Sequence, residues 1–214
     1  DLGSTFLLAT IAALAVAPHL NSKLQYKPLV DFAPISMATV SGNVLVVHPS
    51  VQAKTLAEYV KEANSKPGGM PYGTSGVGSA GHLAFEYLKL VTGIDVIHVP
   101  YKGTGPQITD LIGGRTDASS AGTPPLMPHI KSGKVPAIAV GMPKRIAALP
   151  DVGTVAEQGY KDFETSQWYG IIAPAKTPDA VVKRLHAEAA KAAKSKEVGE
   201  RFNAEAGFVP RVGY

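Results

Sequence analysis

From Met70 to His82 the chain reads Met-Pro-Tyr-Gly-Thr-Ser-Gly-Val-Gly-Ser-Ala-Gly-His, and Leu83–Gly93 then repeats apolar positions at helical spacing. Glycines and hydroxyls between an extended lead and a helix gather unpaired backbone N–H groups, Thr and Ser hydroxyls and the positive end of a helix dipole at one point. That is an anion receptor. Three chemistries use such a turn, each with a further requirement. Gly76-Val-Gly-Ser-Ala-Gly81 satisfies the GxGxxG of a dinucleotide fold, but Asp95, the acid at the required distance, falls at the start of its strand, whereas a ribose-binding acid belongs at the end. A serine hydrolase asks for GxSxG, and Gly73-Thr-Ser-Gly-Val77 lacks the last glycine. His82 stands three residues beyond Ser79, one helical turn along, yet no acidic residue in the turn orients it as a base. A phosphate loop asks for GK[ST], which is absent. The turn therefore reads as a receptor with donors and no reactive group. The alternatives are a nucleotide-dependent oxidoreductase on Gly76–Gly81 and a Ser/His hydrolase, and the plainest reading is that Ser79 only caps a helix.

The bulk composition agrees with a folded, loop-rich protein: 214 residues, 45% hydrophobic and 18% charged. A formal charge of +4 is mild, and the basic residues are dispersed, so nothing resembles a nucleic-acid surface. There is no cysteine, which excludes disulfides, thiolate metal sites and cysteine nucleophiles. The six histidines show no close ligand pairing, so neither a metal nor another cofactor is expected.

These residues need elements to hold them. Phe6–Pro18 has the look of a signal-peptide hydrophobic run ending in Ala-Val-Ala, but no basic segment precedes it and about 13 residues are too few to span a bilayer. It reads as a buried strand, 5–9, and a short helix stopped near Pro18. Residues 23–34 read as a surface connection, and 35–38 and 43–48 as two strands, the second a β-branched run of the kind buried on both faces of a parallel sheet. Thr55-Leu-Ala-Glu58 is a capping box that starts a helix running to about Asn64. Strands are expected at 94–99, 137–140 and 167–173, and 118–125 reads as a strand end running into a small-residue turn, with helices at 107–112 and 126–132, a helical turn at 154–158 and a longer helix after Pro178. Alternating strands and helices predict an α/β architecture with mainly parallel or mixed sheets, in which ligands lie at the carboxyl ends of strands. Small-residue turns at 9–12, 73–81 and 119–123 are candidates to converge there.

Taken together, Tyr72–Ser79 with His82-Leu83, Val99-Pro-Tyr-Lys-Gly103 with Pro106, Asp110-Leu-Ile-Gly-Gly114, Leu126–Gly133, Leu149-Pro-Asp-Val152, Thr154-Val-Ala-Glu157 and Trp168-Tyr-Gly with Ala173-Pro174 closely resemble the Bug (TctC) family. These are extracytoplasmic solute-binding proteins of tripartite tricarboxylate transporters. The resemblance covers essentially the whole chain. It implies a two-lobed, type II periplasmic binding protein of the Venus-flytrap kind, a monomer in the periplasm that holds a small carboxylate, delivers it to membrane permease subunits and performs no catalysis.

On that reading residues 1–48 and 171–214 form the first lobe and 49–170 the second, with crossings near Val47–Ser50 and Gly170–Pro174. Thr74, Ser75, Gly76, Gly78 and Ser79 would bind one ligand carboxylate, and His82 would touch or order it. Ser119, Ser120, Gly122 and Thr123 would form the adjacent wall, Thr10 would come from the other lobe, and Trp168 would serve as core or stack on an aromatic ligand. Against the family pattern the chain begins near the second strand and stops early, so the opposite jaw of the clamp is expected outside it, and the isolated chain is expected to be less stable for want of a strand. Many members carry an Asp-Asn pair where this chain has Ala121-Gly122. The loss of that carboxylate predicts a ligand without an ammonium group, a di- or tricarboxylate or an aromatic carboxylate.

Overall fold

The computed structural model describes residues 5–200. Its first strand is β1, Leu7–Thr10, followed by a π-helical turn at Ala12–Val16 and by α1, Ala17–Leu20. Pro18 does not stop this helix. It sits in the first turn of α1, where its missing N–H costs nothing. A second short helix, α2, Pro28–Asp31, interrupts the stretch expected to be a plain connection, its Asp31 carboxylate accepting the Lys27 N–H at 2.6 Å.

The two strands expected at 35–38 and 43–48 are one, β2, Phe32–Val47. Thr39 and Val40 favour extended backbone, and Gly42 does not adopt the positive φ that would break the run. Then come α3, Leu56–Ser65, β3, Met70–Thr74, α4, Ala80–Thr92, β4, Val96–Pro100, and α5, Thr104–Ile112. They are followed by β5, Ala118–Gly122, α6, Thr123–Lys131, β6, Ala137–Val140, β7, Ser166–Pro174, and α7, Asp179–Ala193. The capping box forms as the residue types require: Thr55 Oγ1 accepts the Glu58 N–H at 3.2 Å and Glu58 Oε2 accepts the Thr55 N–H at 3.3 Å. Among the described residues no helix is long and apolar enough to cross a membrane.

The chain divides into two units, residues 1–41 with 167–214 and residues 42–166, so both crossings come earlier than expected. Residues 1–4 and 201–214 of the first unit lie outside the described residues. In that unit β7 pairs antiparallel with β1, Leu7 opposite Ile172, and neighbours β2 on its other side. His186 of α7 bonds the Ile35 carbonyl at 2.7 Å.

The second unit is a sheet in the order β6-β2-β5-β3-β4. Strands β3, β4 and β5 run parallel, but the end of β2 is antiparallel to both β5 and β6. The consecutive apolar run Val44–Val47 had suggested a parallel strand. Burial on both faces is what such a run records, and the direction of the neighbours is not. Leu45 and Val47 pack into one apolar cluster with Leu56 and Tyr59 of α3 and Phe85 and Leu88 of α4. Val44 and Val46 pack into the other with Ile108 and Leu111 of α5 and Leu126 of α6. Helices thus cover both faces, and each of these fully buried side chains stabilises the unit by about 1.5–3 kcal/mol.

Candidate functional site

The parallel strands β5, β3 and β4 each feed a helix at the carboxyl end: α6, α4 and α5. Between β3 and α4 the turn requires its glycines, since Gly76 has φ 132° and Gly78 φ 77°. The Ser79 N–H closes it on the Gly76 carbonyl at 3.2 Å. Ser79 is the N-cap of α4, its Oγ accepting the His82 N–H at 3.2 Å. A hydroxyl that accepts there keeps its proton for an outside partner. Ala80 and Gly81 are the first residues of the 13-residue helix, and their N–H groups precede its first internal bond. Three donors and the positive helix end therefore meet at one place.

Gly81 positions that place. A Cβ there would lie 2.1 Å from the Ser120 carbonyl oxygen, so α4 starts hard against the end of β5. The turn 73–81 and the turn 119–123 converge as a result. The third small-residue turn, 9–12, belongs to the other unit.

Behind the turn stands a ladder of rings. Phe85, Tyr72, His98 and His82 stack in that order, with centroids 3.9, 5.1 and 4.2 Å apart. The Gly78 N–H donates to His82 Nδ1 at 3.1 Å, which makes His82 a brace for the turn. His98 Nε2 lies 2.6 Å from Thr74 Oγ1. Burial, and next the neighbouring His82, hold the His98 pKa below the ordinary histidine value, so the ladder favours a neutral ring. Tyr72 donates to Glu86 at 2.8 Å, and burial followed by that bond raises its pKa.

A second lock joins β3 to β5. Gln107, fully buried on α5, donates through Nε2 to Ser119 Oγ at 2.6 Å, to the Ser120 carbonyl at 3.0 Å and to the Gly73 carbonyl at 3.2 Å. Tyr101 closes the β4 side, donating to Asp110 at 2.9 Å while Arg115 pairs the same carboxylate at 2.7 Å.

The expected site residues separate on this geometry. Ser75 and Ser79 are part-exposed, as is Gly76. Thr74 and Ser119 have no exposed surface in the unit, and their hydroxyls serve Gly76 with His98 and Gly73 with Gln107 respectively. Thr123 is buried and donates to the Gly42 carbonyl at 2.9 Å. Ser120 and Gly122 are buried at the end of β5, and Ala121 packs into the apolar cluster of α5 and α6. Thr10 Oγ1 accepts the Ala13 N–H at 3.4 Å within its own unit. Trp168 is half-buried and lines an apolar cavity of about 330 Å³ with Leu14, Pro34, Met37 and Ile171. The sequence reading missed His98, Gln107 and Tyr101. Only His98 carried a signal, as the one polar residue of Val96–Pro100; Tyr101 and Gln107 stand among Lys102, Gly103, Thr104, Thr109 and Asp110 and carried none. Among the described residues no group of three or more His, Asp or Glu is placed to hold a metal ion.

Residues 2–211 match the model of the tripartite tricarboxylate transporter family receptor, TctC. The chain belongs to the TctC family. BugT of Bordetella pertussis is 35% identical to this TctC chain over 204 residues, which are 95% of the chain and 63% of BugT, so the chain spans less than two thirds of that relative. Among solved structures, Rpa4515 of R. palustris with adipate superposes with a TM-score of 0.92 at 29% identity, covering 100% of the chain and 73% of Rpa4515. MatC of Rhodopseudomonas palustris with bound malate gives 0.89 at 28%, covering 98% and 71%. The periplasmic binding protein BugD gives 0.90 at 30%, covering 97% and 69%. The TctC chain therefore has the two-lobed α/β fold of periplasmic solute-binding proteins.

Proposed function

We propose that this chain is the ligand-holding part of a periplasmic solute-binding protein that captures a small organic carboxylate and delivers it to a membrane permease, without catalysis. The observation that carries the reading is the start of α4, where the Ala80 and Gly81 N–H groups and the Ser79 hydroxyl face the same point at the positive end of a helix. One ligand carboxylate binds there, with Ser75 beside it. The buried Thr74, Ser119 and Thr123 act by holding the two turns in register. Adipate and malate, bound by the family members Rpa4515 and MatC, are the ligand types this receptor suits.

Neither 73–82 nor 119–123 contains an Asp or Glu. An ammonium group would find no counter-charge in these turns, which supports a ligand that is purely anionic. The geometry disfavours a hydrolase, because His82 Nδ1 accepts the Gly78 N–H and so is not free to take a proton from Ser79. For a nucleotide, Asp95 precedes β4 and cannot serve a ribose at the strand's carboxyl end.

A thermal-shift panel of adipate, malate, glutamate, aspartate and NAD(P) separates the readings. A dicarboxylate should raise the melting temperature by mass action, about 2.7 kcal/mol of added stability at a hundredfold excess over Kd. Stabilisation by glutamate or NAD(P), with the dicarboxylates inert, refutes it.

A further inference from the structure

The second unit contains a small pocket of about 20 Å³, bounded on its polar side by Asn43, Ser120 and Thr165 and elsewhere by Leu45, Phe85 and Phe163. Asn43 is 2% exposed, and neither its amide oxygen nor its amide nitrogen has a hydrogen-bond partner. Thr165 Oγ1 is buried and unpartnered as well. Three unsatisfied polar atoms thus border one space. Leaving a buried donor or acceptor unpaired is costly enough that natural folds rarely tolerate it.

We propose that this cavity is a binding site for a single water molecule, bridging the Asn43 amide and the Thr165 hydroxyl. Size agrees, since about 10–15 Å³ of such space holds one water. Chemistry narrows the occupant further. The Asn43 nitrogen needs an acceptor and the oxygen needs a donor, whichever way round the amide is placed. A cation satisfies only the oxygen and an anion only the nitrogen; water satisfies both, and the Thr165 hydroxyl accepts or donates as the third partner. A purely apolar cavity stays dry, but this one has convergent polar groups.

Its location gives the water a role. Asn43 and Thr165 lie beside the two points where the chain enters and leaves the second unit. Their backbones close a three-way junction with Gly141: Asn43 N–H to Thr165 O at 3.3 Å, Thr165 N–H to Gly141 O at 2.7 Å, and Gly141 N–H to Asn43 O at 2.8 Å. Asn43 also pairs opposite Gly122, and Ser120 borders the cavity, so the water sits under the end of β5 that Gly81 presses against. It ties the side chains of a junction that the backbone alone holds at its edges. The inference does not depend on the identity of the ligand.

Gly141→Ala is a poor test, because its Cβ would run into Thr165 Oγ1 and threaten folding. A crystal structure of the protein at a resolution that shows ordered solvent, together with Asn43→Leu, Thr165→Val and the double variant, is decisive. The expected result is one solvent peak within roughly 2.7–3.2 Å of the Asn43 amide and Thr165 Oγ1, lost in the double variant. Each single variant should melt several degrees lower, and the double variant should fall by less than the two losses combined, because it leaves no polar atom stranded. A dry cavity, a direct Asn43–Thr165 bond or a cation with several oxygen ligands overturns the proposal.

Discussion

Gly81→Ala isolates the feature that positions the receptor. Gly81 is not in the left-handed region, so alanine suits its backbone, and in an open helix the exchange would stabilise by up to about 1 kcal/mol. Here the new Cβ would stand 2.1 Å from the Ser120 carbonyl oxygen. An ordinary C···O approach is about 3.3 Å, so α4 must retreat from β5 by roughly 1.2 Å. The neighbour is backbone of a central strand and cannot rotate away. Overpacking of this kind costs about 1–3 kcal/mol, which set against the helix preference leaves a net loss of up to about 2 kcal/mol. In a protein of this size that lowers the melting temperature by up to about 8 °C. The Ala80 and Gly81 N–H groups move with the helix end, and hydrogen bonds to a charged group are worth about 1.5–3 kcal/mol each, so dicarboxylate affinity should fall at least tenfold. Thermal melts and titration calorimetry with adipate or malate read both effects. A variant that melts at or above wild type and binds unchanged refutes the close-approach argument.

Other perturbations address the supports of the turn. His82→Ala removes the acceptor of the Gly78 N–H, and a bond of about 1 kcal/mol predicts roughly fivefold weaker binding, checked by calorimetry. Gln107→Leu removes three hydrogen bonds of a fully buried amide, leaving Ser119 Oγ with the Gly73 carbonyl alone, and should cost about 1–3 kcal/mol in urea denaturation. The depressed His98 pKa sets the sign of a pH effect: below about pH 6.5 the unfolded chain takes up a proton that the folded chain resists, so stability is full above that value and declines as pH falls. Glu86 adds to the decline at lower pH. Burial raises its pKa, but the bonds from Tyr72 and Lys89 outweigh burial and hold it below its usual range, so its contribution is lost as pH falls through the folded value. Urea melts between pH 5 and 8 should show a smaller acid loss in His98→Gln than in wild type; an equal loss removes His98 as the cause.

The parts of the fold that were legible are those governed by local chemistry. Thr55 with Glu58, Ser79 before Ala80 and the left-handed Gly93 that ends α4 announce helix ends by residue type alone. The GxGxxG match at Gly76–Gly81 was informative for a reason other than nucleotides. A dinucleotide turn and this one share the same steric demands, positive φ at Gly76 and Gly78 and close helix-to-strand packing at Gly81. The features that stayed hidden depend on pairing across the chain. The run Val44–Val47 shows burial but not strand direction, and Ser41-Gly42 looks like a break until β5 and β6 are seen to flank residues 43–47. His98 becomes part of the site only through its register opposite Tyr72, and Gln107 only through α5 packing over Gly73 and Ser119. Buried hydroxyls at Thr74, Ser119 and Thr123 cannot be told in sequence from hydroxyls that face a ligand.

The central claim is that a ligand carboxylate sits on the N-terminus of α4, and Ser79→Asp tests it most directly. Aspartate caps a helix as well as serine does, so folding should be unchanged within about 0.5 kcal/mol, while its negative charge occupies the place proposed for the ligand. Titration calorimetry of wild type and Ser79→Asp with adipate and malate should show binding by the wild type and at least a tenfold loss in the variant at an unchanged melting temperature. Equal binding by both proteins would contradict the account.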